Sequence, residues 1–293
     1  MNSKNEQRSP WLDPEPIDWF SVVEEALQED VGLGDITGSC IPIDQITSWH
    51  LESQADGVLA GVGVVEALMG PQPSDPEQCN FTLRICDGEK VSRGSIIAEG
   101  IIPARRALMM ERTSLNFVMH LSGIATLTHT YVSKIKGTRA KIIDTRKTTP
   151  GLRVLEKYAV RCGGGHNHRM GLHDGILIKD NHIQACGSIQ NAVEKVKSFA
   201  SHFIRIEVEC ERLDQVEEAI NAGAEIVMLD NMDPFMMREA VSKFKGRCLL
   251  EASGGINLDT VKGVAATGVD LISVGAITHS APALACHIEF MEC

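Results

Sequence analysis

Between Lys141 and Gly275 the chain alternates, six times over, a short apolar segment with a helix-length one, and few architectures accommodate that pattern. The apolar segments are 141–145, 175–179, 203–209, 225–230, 248–253 and 270–275. Amphipathic stretches of about a dozen residues, such as 188–200 and 213–222, separate them. Strands joined by helical crossovers pair in parallel, whereas antiparallel neighbours need only a short turn. The expectation is an α/β barrel, and an open one, because six units fall short of the eight that close the ring.

Residues 17–125 lack this alternation. Ile17, Phe20, Val23 and Leu27 recur at helical spacing, so 17–30 reads as a helix running into the glycine- and aspartate-rich 29–37. Phe81, Leu83 and Ile85 alternate with Asn80, Thr82 and Arg84 as in a half-buried strand, with Asp87-Gly88 as a turn. A helix over 103–122 follows, with Pro103 at its first position and Gly123 as its stop. The fold class is therefore α/β, with a sandwich-like N-terminal α/β domain over 17–125 and the open barrel over 126–280. Residues 281–293 are expected to form a C-terminal helix packing back on the N-terminal domain. The polar, proline-rich residues 1–16 read as a disordered tail without the apolar core of a secretion signal.

Composition narrows the function. No apolar run approaches the roughly 18 residues of a membrane span. The nine cysteines are scattered and include no CxxC pair, which points to a reducing cytoplasm and away from a zinc knuckle or dithiol site. Net charge is −11, yet residues 144–182 carry seven Lys or Arg against four Asp or Glu, a net +3. A basic island in an acidic chain suits a small polyanionic substrate. No basic stripe extends beyond it, so a nucleic-acid partner is not expected.

Polar residues stand at the end of every strand in the second half: Thr145-Arg146-Lys147, Lys179-Asp180-Asn181, Glu207-Val208-Glu209, Asp230-Asn231, Ser253-Gly254-Gly255 and Ser273-Val274-Gly275. Barrels of this class place their active sites at those ends. The last two sets have the composition of a phosphate site, because glycines let backbone N–H groups approach an anion closely. Glu209 and Asp230 read as acceptors for sugar hydroxyls, or as groups holding water around Mg²⁺. His166, His168 and His173 have a metal-ligand look, but the arginines beside them oppose a cation. His168 with Arg169 reads better as a pair of anion donors. The glycines at 61–63 and 163–165 lack the spacing of a dinucleotide fingerprint.

Taken together, EDVGLGDIT (29–37), ERTSLNFVMHLSGIAT (111–126), DTRKTTPGLR (144–153), HNHR (166–169), KDNH (179–182), EVEC (207–210), MLDN (228–231) and EASGGI (251–256) resemble the quinolinate phosphoribosyltransferases, in order from about residue 17 to 285. The resemblance implies a pentosyltransferase of NAD biosynthesis. Such an enzyme joins quinolinate to phosphoribosyl pyrophosphate (PRPP) with Mg²⁺, giving nicotinate mononucleotide, pyrophosphate and CO₂. It also implies a homodimer, or a multiple of dimers, with a shared site. By the same resemblance Arg146, His168, Arg169 and Lys179 clamp the quinolinate carboxylates, and Arg112, beside Glu111, enters from the partner subunit. Lys147 meets the PRPP phosphates, and Glu209 and Asp230 its ribose and metal. Ser253, Gly254, Gly255, Ser273 and Gly275 form the 5′-phosphate site. Lys147, Glu209 and Asp230 are the catalytic set. The acidic pair before Thr-Gly-Gly-Thr that marks the other class of phosphoribosyltransferases is absent.

Three other readings compete. One is a transferase of the same class acting on nicotinate or another pyridine acid, which would need fewer cations. A second is a non-enzymatic sensor of pyridine acids or phosphosugars. The third is a barrel aldolase or isomerase with Lys179 as Schiff-base lysine.

Overall fold

The computed structural model describes residues 17–73 and 75–292, so the expected tail over 1–16 lies outside the described residues. Contacts divide the chain into two compact units. Of the described residues, the first holds those from 17 to 127, 161–164 and 281–292; the second holds 128–160 and 165–280.

In the first unit, α1 (Trp19–Val31) starts at Asp18, whose carboxylate accepts the Ser21 N–H at 3.2 Å. After it come β1 (Ile46–Ser53), β2 (Gly57–Val58), α2 (Val62–Met69), β3 (Asn80–Leu83), β4 (Lys90–Val91) and β5 (Ile96–Pro103). The Asp87 of the expected turn caps α2 from outside, accepting the Gly61 and Val62 N–H groups at 3.0 and 3.1 Å. Strand β1 buries every second residue, Thr47, Trp49, Leu51 and Ser53, as its two-residue period requires.

Helix α3 (Ala104–Lys134) is longer than expected and begins later. Pro103 ends β5, paired with Ile46, and does not open the helix. Gly123 does not stop it either. A Cβ there would lie 2.1 Å from the Pro282 carbonyl oxygen, so the glycine serves a close backbone approach inside a continuous helix.

The second unit carries β6 (Lys141–Ile143), α4 (Arg153–Cys162) as far as Val160, β7 (Ile176–Ile178), α5 (Asp180–Cys186), α6 (Ile189–Lys197), β8 (Ile206–Cys210), α7 (Leu213–Ala222), β9 (Ile226–Asp230), α8 (Pro234–Phe244), β10 (Leu249–Ser253), α9 (Val261–Ala265), β11 (Leu271–Ser273) and α10 (Ala276–His279). Its six strands pair in the order β6-β11-β10-β9-β8-β7, every ladder parallel. Among the described residues no ladder joins β6 to β7, so the sheet is open. Val208, Val227, Leu229, Leu250, Ala252 and Ile272 are fully buried along the central strands. Because every strand runs the same way, all six C-terminal ends lie along one edge.

The C-terminal segment corrects the expectation of a helix. It is strand β12 (Cys286–Glu292), antiparallel to β1 with Trp49 opposite Phe290 and Leu51 opposite Ile288. Leu284, Cys286 and Ile288 are buried while Ala285, His287 and Glu289 are exposed, a period of two that a helix cannot satisfy. The sheet order of the first unit is β12-β1-β5-β3.

A Gly→Ala change inside a helix ordinarily stabilises by about 1 kcal/mol. Gly123→Ala is expected to do the reverse, costing about 1–3 kcal/mol because the methyl meets fixed backbone. Thermal unfolding checks this: a melting temperature equal to or above that of the parent chain refutes the crowding argument.

Candidate functional site

A cavity of about 830 Å³ opens along the C-terminal edge of the six-stranded sheet, and its lining comes entirely from the second unit. Loops after each strand supply it. Arg146 and Lys147 follow β6, Lys179 follows β7, Glu209 and Asp230 stand at the ends of β8 and β9, and the segments 253–256 and 273–276 follow β10 and β11. His168 and Arg169 enter from the loop before β7. Every residue expected in the cavity from the second half therefore lines it: Arg146, Lys147, His168, Arg169, Lys179, Glu209, Asp230, Ser253, Gly254, Gly255, Ser273 and Gly275. Glu111 and Arg112 lie on α3 in the first unit, Arg112 exposed to solvent.

The basic island separates into two kinds of cation. Arg146, Lys147, Arg169 and Lys179 line the cavity. Arg153 is structural, donating to the Thr148 hydroxyl at 3.0 Å and the Met170 carbonyl at 3.1 Å, which ties the loop after β6 to the loop before β7. Lys157 is fully buried and paired with Asp144. Lys179 meets the Glu209 carboxylate, and Arg169 donates from Nη1 to the Gly175 carbonyl at 2.9 Å. Burial, and then the Arg146 guanidinium, hold Arg169 below the usual arginine range. Two guanidiniums that repel each other across a cavity form a site that gains when an anion enters.

His168 is fixed at both ring nitrogens. Its Nδ1 accepts the Arg169 N–H at 2.7 Å, which places the ring proton on Nε2, 2.9 Å from the Glu207 carboxylate. In this geometry the ring offers the cavity no free nitrogen, so anion recognition rests on the cations beside it.

Under His168 lies a feature with no sequence signal beyond its motifs. Glu207 and Glu251 are buried, and one oxygen of each has no hydrogen-bond partner within the protein. Each also offers one oxygen to a cluster with His168 whose ligand atoms lie within 4.8 Å of one another. Burial, and then the Glu207 carboxylate, push Glu251 well above the ordinary glutamate range. Two adjoining buried carboxylates oppose each other's charge, which favours the protonated form of Glu251. A divalent cation is disfavoured, since the Nδ1 acceptor role leaves a proton on the Nε2 that would have to bind it.

The glycine loops are shaped by neighbours. Gly254 has φ +97°, and a Cβ there would lie 2.1 Å from the Asn231 side-chain oxygen, so only glycine fits. Asn231 itself has φ +53° and donates to Asp230 at 2.7 Å, with its N–H on the Ser253 carbonyl at 2.9 Å. Asn231, Thr145 and His279 line the cavity and were not expected as site residues, although Asp230-Asn231 was visible as a strand end. A Cβ on Gly275 would press on Lys147 Cδ at 3.1 Å and on the His279 ring. Ser273 is buried, its hydroxyl donating to the Ala252 carbonyl at 3.3 Å.

Folding raises the affinity of Glu251 for its proton, so stability falls as pH rises from its ordinary value of 4.5 toward its raised one. Glu251→Gln cannot ionise, so its stability relative to the parent chain should improve with pH, by at most about 1.4 kcal/mol per unit. Denaturant titrations from about pH 5 to about pH 8 test the sign; a difference that stays flat shows that Glu251 does not hold a proton.

Comparison with known proteins places this architecture. Residues 35–122 match the family model "Quinolinate phosphoribosyl transferase, N-terminal domain", and 124–289 match "Quinolinate phosphoribosyl transferase, C-terminal domain". A relative from Bacillus subtilis, named "probable nicotinate-nucleotide pyrophosphorylase (carboxylating)", is 45% identical over 256 residues, covering 87% of this chain and 88% of its own. A tobacco relative, named "quinolinate phosphoribosyltransferase (decarboxylating) 2b, mitochondrial", is 38% identical over 91% of this chain and 80% of its own. The solved nicotinate-nucleotide pyrophosphorylase of Francisella tularensis superposes with a TM-score of 0.86 at 40% identity, covering 93% of this chain and 96% of that one. With both family models matched in order and such relatives aligned over most of its length, the chain belongs to the quinolinate phosphoribosyltransferase family.

Proposed function

We propose that this chain transfers the phosphoribosyl group of PRPP to the ring nitrogen of quinolinate, with loss of pyrophosphate and CO₂, giving nicotinate mononucleotide for NAD synthesis. The observation that carries the reading is the cavity itself. In a chain of this family, four cations and two glycine-containing loops line one volume of about 830 Å³. A dicarboxylate cannot be buried unpaired, and Arg146, Arg169 and Lys179 form its clamp, with the His168 ring held beside them by Glu207. Lys147 takes the pyrophosphate. The N–H groups of Gly254, Gly255 and Gly275, with Ser253 and Ser273, take the 5′-phosphate.

The chemistry follows from placement. The pyridine nitrogen forms its bond to the anomeric carbon as the bond to pyrophosphate breaks, and positive charge develops on the ribose. Glu209 and Asp230 stand where they stabilise that charge and accept from the ribose hydroxyls. Holding the nitrogen at attack distance contributes on the order of 7–11 kcal/mol. Asp230, whose carboxylate accepts only a side-chain amide from its neighbour among the hydrogen bonds described, fits a role in holding water around Mg²⁺, with Glu209 joining if Lys179 releases it. When bound with pyrophosphate, Mg²⁺ supplies neutralisation of the leaving group. After ribosylation the pyridinium draws in the electron pair left at C2 when the 2-carboxylate departs as CO₂, and C2 then takes a proton.

We read the active form as a homodimer, or a multiple of dimers, in which Glu111 and Arg112 of each chain complete the partner's site. The exposure of Arg112 supports this. The cysteines among the described residues are all free, which supports a reducing compartment, the cytoplasm. No helix among the described residues is long and apolar enough to cross a membrane.

The direct test supplies quinolinate, PRPP and Mg²⁺ and follows nicotinate mononucleotide and CO₂ together. Equal yields are expected; product from nicotinate without CO₂ refutes the substrate assignment. Arg146→Ala should lose quinolinate binding by about tenfold or more while PRPP still binds, and calorimetry showing normal quinolinate affinity overturns its role. Arg112→Ala and Arg169→Ala should each be inactive alone and regain activity when mixed. Mixed dimers that stay dead rule out a shared site.

A further inference from the structure

The Asp144–Lys157 ion pair lies outside the cavity lining, with both side chains fully buried. Burial pushes the Asp144 carboxyl up and the Lys157 ammonium down in spite of their attraction, so the pair is costly to bury. What it touches is one loop. Asp144 Oδ1 accepts the His168 N–H at 2.9 Å, and Lys157 donates to the His168 carbonyl at 3.0 Å. Asp144 Oδ2 accepts the Asn167 amide at 2.5 Å, and the same amide reaches the Lys157 carbonyl at 2.9 Å. Two residues upstream, the His166 N–H meets the Ile142 carbonyl at 2.9 Å and its carbonyl takes the Asp144 N–H at 3.1 Å. His168 is thereby held by both its N–H and its C=O, and the next residue is Arg169.

A well-packed apolar pair can replace a buried ion pair with little or no loss of stability. It cannot hydrogen-bond the two sides of His168. The charges are therefore explained by what they hold and not by the core they fill. We propose that Asp144 and Lys157 are positioning residues of the reaction, fixing the backbone of His168 so that the Arg169 guanidinium is aimed into the cavity to receive a carboxylate of the substrate. This rests on the reading of Arg169 as a cation of the quinolinate clamp.

The test is the double variant Asp144→Leu/Lys157→Met, which keeps the core filled and removes the hydrogen bonds to His168. The full-length enzyme should keep its melting temperature within a few degrees, while KM for quinolinate rises about tenfold to a hundredfold and KM for PRPP does not change. A purely structural ion pair would move stability or both substrates together. Unchanged KM for quinolinate in the folded double variant overturns the proposal. Should that variant fail to fold, Lys157→Met, which removes the donor to the His168 carbonyl, is expected to raise KM for quinolinate alone; no change there overturns the proposal too. Arg169→Ala separates the two failures. If it leaves quinolinate binding intact, the clamp reading falls and the positioning role with it. If it abolishes binding while the double variant binds normally, only the positioning role falls.

Discussion

Cations of like sign gathered at one sheet edge repel each other, and the rest of the site is arranged around that repulsion. Partial burial, and then the nearby Arg146 guanidinium, raise the cost of the charge on Arg169. Lys179 is relieved by Glu209 and Lys157 by Asp144, but Arg146 and Arg169 have no carboxylate salt-bridge partner among the described residues. A site in this condition is preorganised for an anion with two negative groups, because binding replaces repulsion with attraction. The parallel sheet makes this possible, since it brings the ends of six strands to one edge whatever their separation in sequence.

The supports beneath that edge are polar where a core is ordinarily apolar. Asp144 and Lys157 hold the backbone of His168, and Glu207 holds its ring, with Glu251 behind it pushed well above the ordinary glutamate range by burial and then by Glu207. Each buried polar group is expensive, and each bears on the single loop that carries His168 and Arg169 into the cavity. On the opposite side the means are steric. Asn231 sits in the left-handed region against Gly254, and Lys147 and His279 close on Gly275, so at these two glycines the loops after β10 and β11 are shaped by contact.

Much of this was legible before the structure. The six strands of the second unit could be read because each is short, apolar and bounded by polar residues, and their shared edge follows from parallel pairing alone. The site cations could be read as a basic island, but not sorted. Lys157 and Arg153 look the same as Arg146 in sequence, and only their neighbours turn one into a core ion pair and the other into a loop tie. Gly123 looks like a helix stop, because the carbonyl it accommodates belongs to Pro282, far along the chain. The C-terminal strand looks like a helix in sequence because its two-residue period spans few residues, and its meaning depends on β1 lying alongside.

By itself, the sequence determined the strand and helix alternation, the polar strand ends and the residue types needed to bind a dianion and a phosphate, because these are local patterns of hydrophobicity, charge and glycine. Tertiary structure alone decided which cations line the cavity, which buried carboxylate is pushed upward and which ring nitrogen of His168 accepts a backbone N–H. Those properties depend on burial and on partners from distant segments, and neither exists until the sheet has formed.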